Sequence, residues 1–449
     1  MKNVLIFGAG QSAPYLITYM LDNAEANDWF ITVCDRDIKL AEARLNGSKR
    51  GKAVEFDVND EEMRNSLIEN SDIVINFLAP KFQYLIALDC LSHSKSVITA
   101  SYESFRIADL HKDAVKKGII ILNEMGLDPG IDHMSAVSMI KKIQKRGGQI
   151  KSFISYGGAL PAPDVKSNPL DYCITWNPRN VVMAGESGAQ YMEKGYNKLV
   201  SHGQIFRRTW QVDVDGIGKL EAYPNRDSLI YRKTFNLKYV DTMIRGTLRY
   251  PGWSETWLQI VKLGITNETM SIPNLSEKTY AEFTEMFVPL SGNGGNVDTR
   301  VANSLGISPT GKIMDNLRWL GLFDNRKIAK GANTPAEVLE KLLLKKMPMP
   351  AGKRDMVTLV HEIKAVYPEK KNKIEKVTSC LIDYGDPDGF TAIAKTVGAP
   401  AAIAAKLLLN GEIKLTGCHI PTNPKIYTKV LKELETIGIK FTEKVEKIK

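Results

Sequence analysis

The first 122 residues alternate between short apolar runs and segments in which apolar residues recur at helical spacing. Uninterrupted apolar runs of this length are typical of strands that a parallel sheet buries on both faces. The predicted strands are residues 2–7, 30–34, 53–57, 72–77, 96–100 and 118–122. The segments between them include predicted helices at residues 14–21, 61–69, 83–92 and 107–117. This alternation predicts an α/β domain built on a parallel sheet.

Beyond residue 145 the pattern changes to longer extended segments that proline interrupts. The strands predicted for a second, mixed sheet are residues 150–157, 181–184, 203–214, 220–228, 242–251, 356–366 and 374–383. Helical spacing recurs at residues 253–263, 277–287, 297–305, 312–320, 334–345, 391–397, 399–409 and 424–437, before a short predicted strand at 439–441. The pattern predicts a mixed-sheet α+β substrate domain with a helical insertion.

A glycine-rich turn follows the first predicted strand directly. Its residues form the pattern G-x-G-x-x-A and are Gly8, Ala9, Gly10, Gln11, Ser12 and Ala13. The first glycine permits a tight turn, the second lets a pyrophosphate approach the backbone, and the small alanine lets the next helix pack on the sheet. The N–H groups that begin this helix can bind phosphate. After a strand and before a helix, the motif predicts a Rossmann domain that binds NAD or NADP.

Two neighbouring residues bear on the choice between NAD and NADP. The second predicted strand ends at Asp35, where a carboxylate is expected to hold the hydroxyls of the adenine ribose. That carboxylate would repel the 2′-phosphate of NADP and so favours NAD, whereas Arg36 could pair with the phosphate. The prediction therefore remains NAD or NADP, with a lean to NAD. Asp57 and Val58, which follow the third strand, are placed to flank the adenine.

Tyr102 and Asp128 are the candidates for proton transfer. Tyr102 follows the fifth strand, and Asp128 lies in the irregular stretch 123–134 between the sixth strand and a predicted helix at 135–145. Asp132 is the predicted N-cap of that helix. Both candidates follow carboxyl ends of strands, where open α/β sheets bind their ligands. The alternatives are a phenol that packs on the sheet edge and an aspartate that bonds only to its own turn.

Three arginines lie on or beside predicted strands of the second sheet, namely Arg226, Arg245 and Arg249. Planar guanidinium groups are suited to bidentate recognition of carboxylates. Each arginine alone could equally belong to a surface salt bridge. The three together predict a site for a small anionic substrate.

Composition narrows the class of protein. The 449 residues are 43% apolar and 25% charged, which is typical of a soluble protein with two or three domains. The net charge of +9 comes from lysines spread along helices rather than from a basic stripe with interleaved aromatic residues. No apolar run approaches the roughly 20 residues of a membrane span, and the apolar N-terminus is too short for a signal peptide. Five cysteines without a Cys-x-x-Cys pair indicate neither a disulfide framework nor zinc. We expect a cytoplasmic protein with no metal and no nucleic-acid or membrane partner.

Five motifs together resemble the saccharopine dehydrogenases of the glutamate-forming type, also called saccharopine reductases. The motifs are Met-Gly-Leu-Asp-Pro-Gly-Ile-Asp-His at 125–133, Leu-Pro-Ala-Pro at 160–163, Trp-Asn-Pro-Arg at 176–179, Tyr-Pro-Asn-Arg-Asp-Ser at 223–228 and Arg-Gly-Thr-Leu-Arg-Tyr at 245–250. The resemblance extends along nearly the whole chain. It implies an NAD(P)-dependent oxidoreductase of lysine metabolism that interconverts saccharopine with glutamate and 2-aminoadipate 6-semialdehyde.

The resemblance also implies a Rossmann domain that the C-terminal segment completes. The expected domains are residues 1–125 with 396–449 for NAD(P), 126–260 with 350–395 for substrate, and a helical subdomain at 261–349. A homodimer is a further expectation. In this division, the helical subdomain lies in the chain between the two parts of the substrate domain.

Individual roles follow from the resemblance by position. The residues implied to contact substrate are Ser101, Tyr102, Asp128, Arg226, Thr247, Leu248 and Arg249. Those implied to contact the cofactor are the turn from Gly8 to Ser12, Asp35, Arg36, Asp57, Val58, Leu78, Ser101, Leu127, Asp128, Pro129 and Trp176. Family members often have a cysteine where this chain has Gly157, so proton transfer is expected to rest on Asp128, Tyr102 or bound water. Fungal relatives are associated with NADP, which is opposite to what Asp35 favours.

Two other functions are compatible with the same features. One is a related imine-reducing dehydrogenase, such as carboxynorspermidine dehydrogenase, and the other is a regulatory protein that binds NAD(P) without turnover. A polycationic substrate requires carboxylates around the cleft, whereas this chain supplies arginines. Hydride transfer from saccharopine would distinguish an enzyme from a regulator.

Overall fold

The computed structural model describes residues 1–289 and 295–448. The chain forms two compact units. The first unit contains Met1–Gln149, Ala365–Ile374 and Ser379–Lys449, and the second contains Ile150–Lys364 and Glu375–Thr378. The three-domain division expected from the sequence stays a prediction.

The described residues form both strands and helices, which are numbered here in chain order. The strands are β1 (Lys2–Phe7), β2 (Trp29–Asp35), β3 (Gly51–Glu55), β4 (Ile73–Asn76), β5 (Ser96–Thr99), β6 (Ile120–Leu122), β7 (Gln149–Pro161), β8 (Ala189–Glu193), β9 (Tyr196–Val200), β10 (Trp210–Val214), β11 (Gly218–Pro224), β12 (Thr242–Arg249), β13 (Asp355–Tyr367), β14 (Lys373–Tyr384), β15 (Gly417–His419) and β16 (Thr442–Ile448). The helices are α1 (Pro14–Asp22), α2 (Ala24–Asn27), α3 (Ile38–Leu45), α4 (Glu61–Glu69), α5 (Gln83–Ser92), α6 (Phe105–Ala108), α7 (His111–Lys117), α8 (Ile131–Lys145), α9 (Pro178–Met183), α10 (Ile230–Thr234), α11 (Trp253–Leu263), α12 (Tyr280–Glu285), α13 (Val297–Leu305), α14 (Lys312–Leu320), α15 (Pro335–Lys346), α16 (Ala392–Leu409) and α17 (Pro424–Thr436).

The first unit contains a seven-stranded sheet with the order β15-β6-β5-β4-β1-β2-β3. All of its described strand pairs are parallel, which confirms the predicted α/β class. The strand order reverses between β1 and β4, and the carboxyl ends on both sides of such a reversal border the ligand crevice of a doubly wound sheet. The C-terminal segment supplies β15, which pairs with β6.

The second unit contains a mixed sheet. Its strands β10, β11 and β12 are antiparallel neighbours, whereas β12 and β7 run parallel. The hairpin of β8 and β9 joins the sheet through a pairing of β8 with β12. Helices α11 to α15 lie in the chain between β12 and β13, which confirms the predicted mixed sheet with a helical insertion.

Several predicted elements differ from the structure. Residues 107–117, predicted as one helix, are divided between α6 and α7, and only residues 210–214 of the strand predicted at 203–214 form a strand. Residues 181–184, predicted as a strand, fall largely in α9, because the Asn177 side chain accepts from Arg179 N–H and Pro178 occupies the first turn. The two helices predicted at 391–397 and 399–409 form one buried helix, α16, with Pro400 inside it. The last strand comprises residues 442–448 rather than 439–441.

Helix α16 also bears on the search for membrane spans. It has 18 residues and a mean hydropathy of 1.5, so it is the one helix of the described residues that is long and apolar enough to cross a membrane. The sequence prediction that no run has this character was therefore too strict. The burial of 78% of the helix inside the protein is the burial expected of a core helix.

Candidate active site

The glycine-rich turn in the first unit has the geometry that a pyrophosphate requires. Gly8 has a φ of 98°, and a Cβ atom there would lie 2.9 Å from the carbonyl oxygen of Phe77, so only glycine fits. A Cβ atom at Gly10 would meet no described atom within 4 Å, so the backbone remains open to a ligand. Helix α1 begins at Pro14 and has no side-chain cap on its first N–H groups. The turn that contains Ala9, Gln11 and Ser12 therefore fits NAD(P).

Asp35 is bonded to this turn through one carboxylate oxygen and to the residues that follow it through the other. Oδ2 accepts from the N–H of Ala9 at 2.7 Å, and Oδ1 accepts from the N–H of Asp37 at 3.0 Å. Arg36, the predicted partner of a 2′-phosphate, is exposed and pairs with Asp57 at 3.4 Å. The N–H of Asn59 and the Arg36 charge hold the pKa of Asp57 below its usual value despite some desolvation. Arg36 thus follows one carboxylate in the chain, that of Asp35, and forms an ion pair with a second, that of Asp57.

The remaining predicted cofactor residues of the first unit follow the carboxyl ends of its strands. Val58 is buried, and its carbonyl accepts from Nη1 of buried Arg64 at 2.7 Å. The N–H of Leu78 donates to Oδ1 of Asn76, at the end of β4, at 3.1 Å. Leu127 is also buried, and it lies beyond β6. These residues lie at the edge of the sheet where the glycine-rich turn predicts a bound dinucleotide.

Tyr102 and Asp128 meet in the structure. The Tyr102 hydroxyl donates to Oδ1 of Asp128 at 2.7 Å, and both side chains are half-buried. Tyr102 and Ser101 follow β5, Asp128 and buried Pro129 follow β6, and these two strands are neighbours in the sheet. A phenol that donates to a carboxylate stabilises its charged form, in which the second oxygen can still accept a proton. This pair therefore has the geometry for general acid–base chemistry.

A buried ion cluster that the sequence pattern did not predict adjoins this pair. Nδ1 of His133 lies 2.8 Å from Oε2 of Glu124, and Nε2 of His133 lies 3.2 Å from Oδ2 of Asp132. Asp132 was expected to cap α8, but the helix begins at Ile131 with Gly130 as its N-cap. The sequence signal for this cluster is that Glu124, Asp132 and His133 lie within ten residues of one another. Metal-binding groups of three or more His, Cys, Asp or Glu residues are absent from the described part of the chain.

In the second unit, Arg245, Thr247 and Arg249 alternate along β12 and share one face of the sheet. Arg245 is buried, and its guanidinium lies 4.9 Å from the centre of the Tyr231 ring. Leu248 lies on the opposite face and is fully buried. Of the predicted substrate residues on β12, Thr247 and Arg249 can therefore present side chains to one ligand.

The Arg249 guanidinium lies in an aromatic cage. Its central carbon is 4.9 Å from the centre of the Tyr172 ring, 5.7 Å from that of Trp253 and 5.9 Å from that of Tyr223. The side chain is only 4% exposed. Aromatic faces attract a cation but do not neutralise its charge.

Counter-charges do not compensate Arg249 within the described residues. No carboxylate there lies within ion-pair distance of it. Its Nη1 donates to the carbonyl of Leu248 at 2.8 Å, whereas its buried Nε has no hydrogen-bond partner there. Glu221 lies opposite Arg249 in the backbone register of β11 with β12. Its side chain is engaged elsewhere, because its Oε1 accepts from the N–H of Ser254 at 2.8 Å. Burial raises the pKa of Tyr223, which keeps this phenol neutral although the Arg249 charge opposes the shift. Arg249 is thus a buried cation suited to a ligand carboxylate.

The other predicted contacts of the second unit lie in loops. Arg226 follows β11 in a left-handed conformation with a φ of 49°, and it is exposed. Trp176 donates from Nε1 to the hydroxyl of Tyr172 at 2.9 Å, so it adjoins the Arg249 cage. Gly157 of β7 pairs in register with Thr247. The position where relatives often have a cysteine is therefore beside the arginine-bearing strand.

Comparisons with known proteins match both parts of the chain. The model for the saccharopine dehydrogenase NADP binding domain matches residues 4–122, and the model for the saccharopine dehydrogenase C-terminal domain matches residues 126–439. The NADP(+), L-glutamate-forming saccharopine dehydrogenase of Schizosaccharomyces pombe is 32% identical over 452 residues, and that of Saccharomyces cerevisiae is 33% identical over 455. Each alignment covers 99% of this chain and 99% of the relative.

A solved structure shows the same likeness. The apo histidine-tagged saccharopine dehydrogenase (L-Glu forming) from Saccharomyces cerevisiae has a TM-score of 0.86 and 32% identity. The match covers 99% of this chain and 100% of that one. The family resemblance, the fold class and the use of NAD(P) are therefore confirmed, and the matched model for the first domain favours NADP. The chain belongs to the saccharopine dehydrogenase family.

Proposed function

We infer that this chain is an oxidoreductase of lysine metabolism that interconverts saccharopine with glutamate and 2-aminoadipate 6-semialdehyde. The observation that carries this conclusion is the end-to-end match, at 32% and 33% identity, with L-glutamate-forming saccharopine dehydrogenases. In the oxidative direction, saccharopine, NAD(P)+ and water give glutamate, the semialdehyde, NAD(P)H and a proton. The reverse reaction joins the amine of glutamate to the semialdehyde.

The reaction sets three chemical requirements. NAD(P)+, when bound, would supply a hydride acceptor for the carbon that bears the secondary amine. The amine must first lose its proton, because an ammonium has no lone pair to assist the departure of hydride from the adjacent carbon. Water must then add to the imine carbon, and the carbinolamine must collapse with transfer of protons to the departing amine. The protein must therefore supply a group that both accepts and returns a proton.

We assign this group to Asp128, with Tyr102 as its partner. The Tyr102 hydroxyl donates to Oδ1 of Asp128 at 2.7 Å, and the carboxylate that it holds takes the proton of the substrate ammonium. Once that proton has passed to solvent, the same carboxylate accepts a proton from the attacking water and returns it to the amine nitrogen. It then takes the hydroxyl proton of the carbinolamine as the carbon–nitrogen bond breaks, and it passes this proton to the departing amine. The half-buried setting of both side chains limits competition from bulk water.

We assign substrate binding to the β12 face of the second unit. Saccharopine carries several carboxylates, and Arg249 offers a buried guanidinium without a carboxylate partner among the described residues. A bidentate ion pair with a substrate carboxylate would satisfy the buried Nε of this arginine. A polycationic substrate would instead face an uncompensated like charge, which disfavours the polyamine-type reaction.

A steady-state assay with saccharopine, followed by the absorbance of the reduced nicotinamide, tests the function with NAD and with NADP. We expect turnover with at least one cofactor, and the absence of turnover with both would refute the proposed function. Asp128→Asn and Tyr102→Phe should each lower kcat by about 10²-fold or more, because each removes a group that moves or holds the proton. Tyr196→Phe is a matched control, because Tyr196 is 70% exposed on β9 and should retain full turnover. Near-normal kcat in both Asp128→Asn and Tyr102→Phe would remove their assigned roles.

A further inference from the structure

Glu124 holds the main chain on both sides of Tyr102. The N–H of Glu124 donates to the carbonyl of Ser101, which precedes Tyr102, at 3.0 Å. Oε1 of Glu124 accepts from the N–H of Glu103, which follows Tyr102, at 3.1 Å. Glu124 is only 3% exposed, so water does not compete strongly for these bonds. The backbone that carries the phenol is therefore fixed by one residue of the neighbouring loop.

Asp132 holds the loop of Asp128 in a corresponding way. The N–H of Asp132 donates to the carbonyl of Leu127, which precedes Asp128, at 3.0 Å. Oδ1 of Asp132 accepts from the N–H of Gly130, two residues after Asp128, at 2.7 Å. Asp132 is only 2% exposed. Each member of the phenol–carboxylate pair is thus flanked by main-chain bonds to one buried acidic residue.

His133 connects these two acidic residues. Its Nδ1 lies 2.8 Å from Oε2 of Glu124, and its Nε2 lies 3.2 Å from Oδ2 of Asp132. Both contacts are at ion-pair distance. We propose that His133 is a positioning residue, which fixes the distance between Tyr102 and Asp128 by joining Glu124 to Asp132. The proposal rests on the proton-transfer role assigned to that pair under the proposed function.

The chemistry of histidine suits this connection. An imidazole ring carries a nitrogen on each of two sides, so one side chain can face two carboxylates at once. His133 is 1% exposed, so its contacts act in a medium that screens charge weakly. Removal of the ring would take away the one side chain that contacts both Glu124 and Asp132 at ion-pair distance among the described contacts.

A second set of hydrogen bonds supports the same segment from the other side. Nδ2 of Asn123 donates to Oε1 of Glu103 at 3.1 Å, and Nε2 of Gln83 donates to Oδ1 of Asn123 at 3.0 Å. Burial, followed by the nearby Glu124 charge, raises the pKa of Glu103. These bonds hold the Glu103 side chain to Asn123, at the start of the stretch that carries Asp128, but they do not involve Asp132. His133 adds a side-chain link from Glu124 to Asp132, beyond the Tyr102–Asp128 contact itself.

The test measures kcat, KM for saccharopine and the Kd of NAD(P)H for the full chain and for His133→Gln. Glutamine keeps a polar group at this position but cannot face both carboxylates as the ring does. We expect kcat to fall by about tenfold or more, because a small displacement of reacting groups is costly. KM and the cofactor Kd should change by less than about threefold, because substrate and cofactor contacts remain. His93→Gln, which alters a half-buried histidine that contacts Asn65 at 2.9 Å, should match the parent chain.

A double-mutant cycle with Tyr102→Phe separates positioning from general damage to the fold. If His133 acts through the Tyr102–Asp128 pair, His133→Gln should lower kcat by less than about twofold once Tyr102→Phe is present. An equal fold-loss in both backgrounds, or an unchanged kcat in His133→Gln alone, would overturn the proposal. If His133→Gln does not bind NAD(P)H, Glu124→Gln replaces it with the same expectations, since it keeps an acceptor for Glu103 N–H. Saccharopine turnover by the parent chain tests the proposed function separately, so the two failures are distinguishable.

Discussion

Replacement of Arg249 by methionine should separate binding from stability. Methionine has a similar length and packs well against aromatic rings, but it carries no charge. The variant loses the ion pair that the buried guanidinium is proposed to form with a substrate carboxylate. A hydrogen bond to a charged group contributes about 1.5–3 kcal/mol, which corresponds to a loss of about 10-fold to 150-fold in kcat/KM. We expect most of this loss in KM, because the carboxylate is bound in ground state and transition state alike.

The same substitution should not destabilise the protein without substrate. Arg249 is 4% exposed, its Nε has no partner among the described residues, and three aromatic rings surround it. A buried group without its hydrogen bond costs about 1–3 kcal/mol, whereas cation–π contacts return about 0.5–2 kcal/mol. These opposing contributions nearly cancel, and methionine keeps the apolar contacts. We therefore expect the Tm of Arg249→Met to equal or exceed that of the parent chain.

Arg64→Met is the matched control. Arg64 is also buried, but its Nε pairs with Asp89 and its Nη1 donates to the carbonyl of Val58. Its removal leaves the half-buried Asp89 carboxylate and the Val58 carbonyl without this donor, which costs about 1–3 kcal/mol, so Tm should fall while KM for saccharopine stays near the parent value. The assays are thermal unfolding without ligand and steady-state kinetics. A clear fall in Tm for Arg249→Met together with an unchanged KM would show that Arg249 is structural and refute the reasoning.

Two further predictions concern the cofactor and the thiols. Asp35→Asn keeps an acceptor for the Ala9 N–H but removes a negative charge. At about 5 Å in water, that charge repels each unit of charge on a 2′-phosphate by about 1 kcal/mol. The ratio of kcat/KM for NADP to that for NAD should therefore rise about tenfold, and an unchanged ratio would show that Asp35 does not set the preference. Burial raises the pKa of both Cys34 and Cys418 to about 12. Iodoacetamide near the free-thiol pKa of about 8.5 should leave both unlabelled by mass spectrometry in the native protein, and rapid native labelling would contradict their burial.

The first unit was largely predictable because its strands are buried on both faces. Apolar runs in such strands are nearly continuous, so β1 begins and ends at the predicted residues. Helices α4 and α5 also have the predicted bounds, and Asp60 caps α4 by accepting from Met63 N–H. Local signals and tertiary burial agree in this region, which is the condition under which sequence patterns are most informative.

The second unit was less predictable because local signals conflict there. Val181 and Val182 favour a strand by β-propensity, but the Asn177 cap and the following proline favour a helix, and both valines are buried within it. Pro400 predicts a helix end, yet α16 continues through it because the helix is almost wholly buried. Burial of the surrounding apolar residues outweighs the hydrogen bond that proline cannot make.

The site also contains contacts that sequence patterns predict and contacts that depend on residues far apart in the chain. Tyr102 and Asp128 each follow a strand end, so their proximity follows from strand order, and the 2.7 Å contact agrees with it. The Arg249 cage joins Tyr172 to Trp253, which are far apart in sequence, and no local pattern predicts that pairing. The arginine was identifiable as a candidate, but its lack of a carboxylate partner within the described residues required the structure.

Gly157 places a constraint on where the acid–base chemistry can lie. It pairs in register with Thr247, on the strand that also carries Arg249, so a side chain there would stand beside the proposed carboxylate site. Glycine has no side chain that could transfer a proton, so the cysteine that the family resemblance suggests at this position can play no part here. The proposed proton transfer therefore rests on the Tyr102–Asp128 pair of the first unit, and the proposed carboxylate binding rests on Arg249 of the second. Variants of His133 and of Arg249 then test separate parts of the proposed function, because kcat should respond to the first and KM to the second.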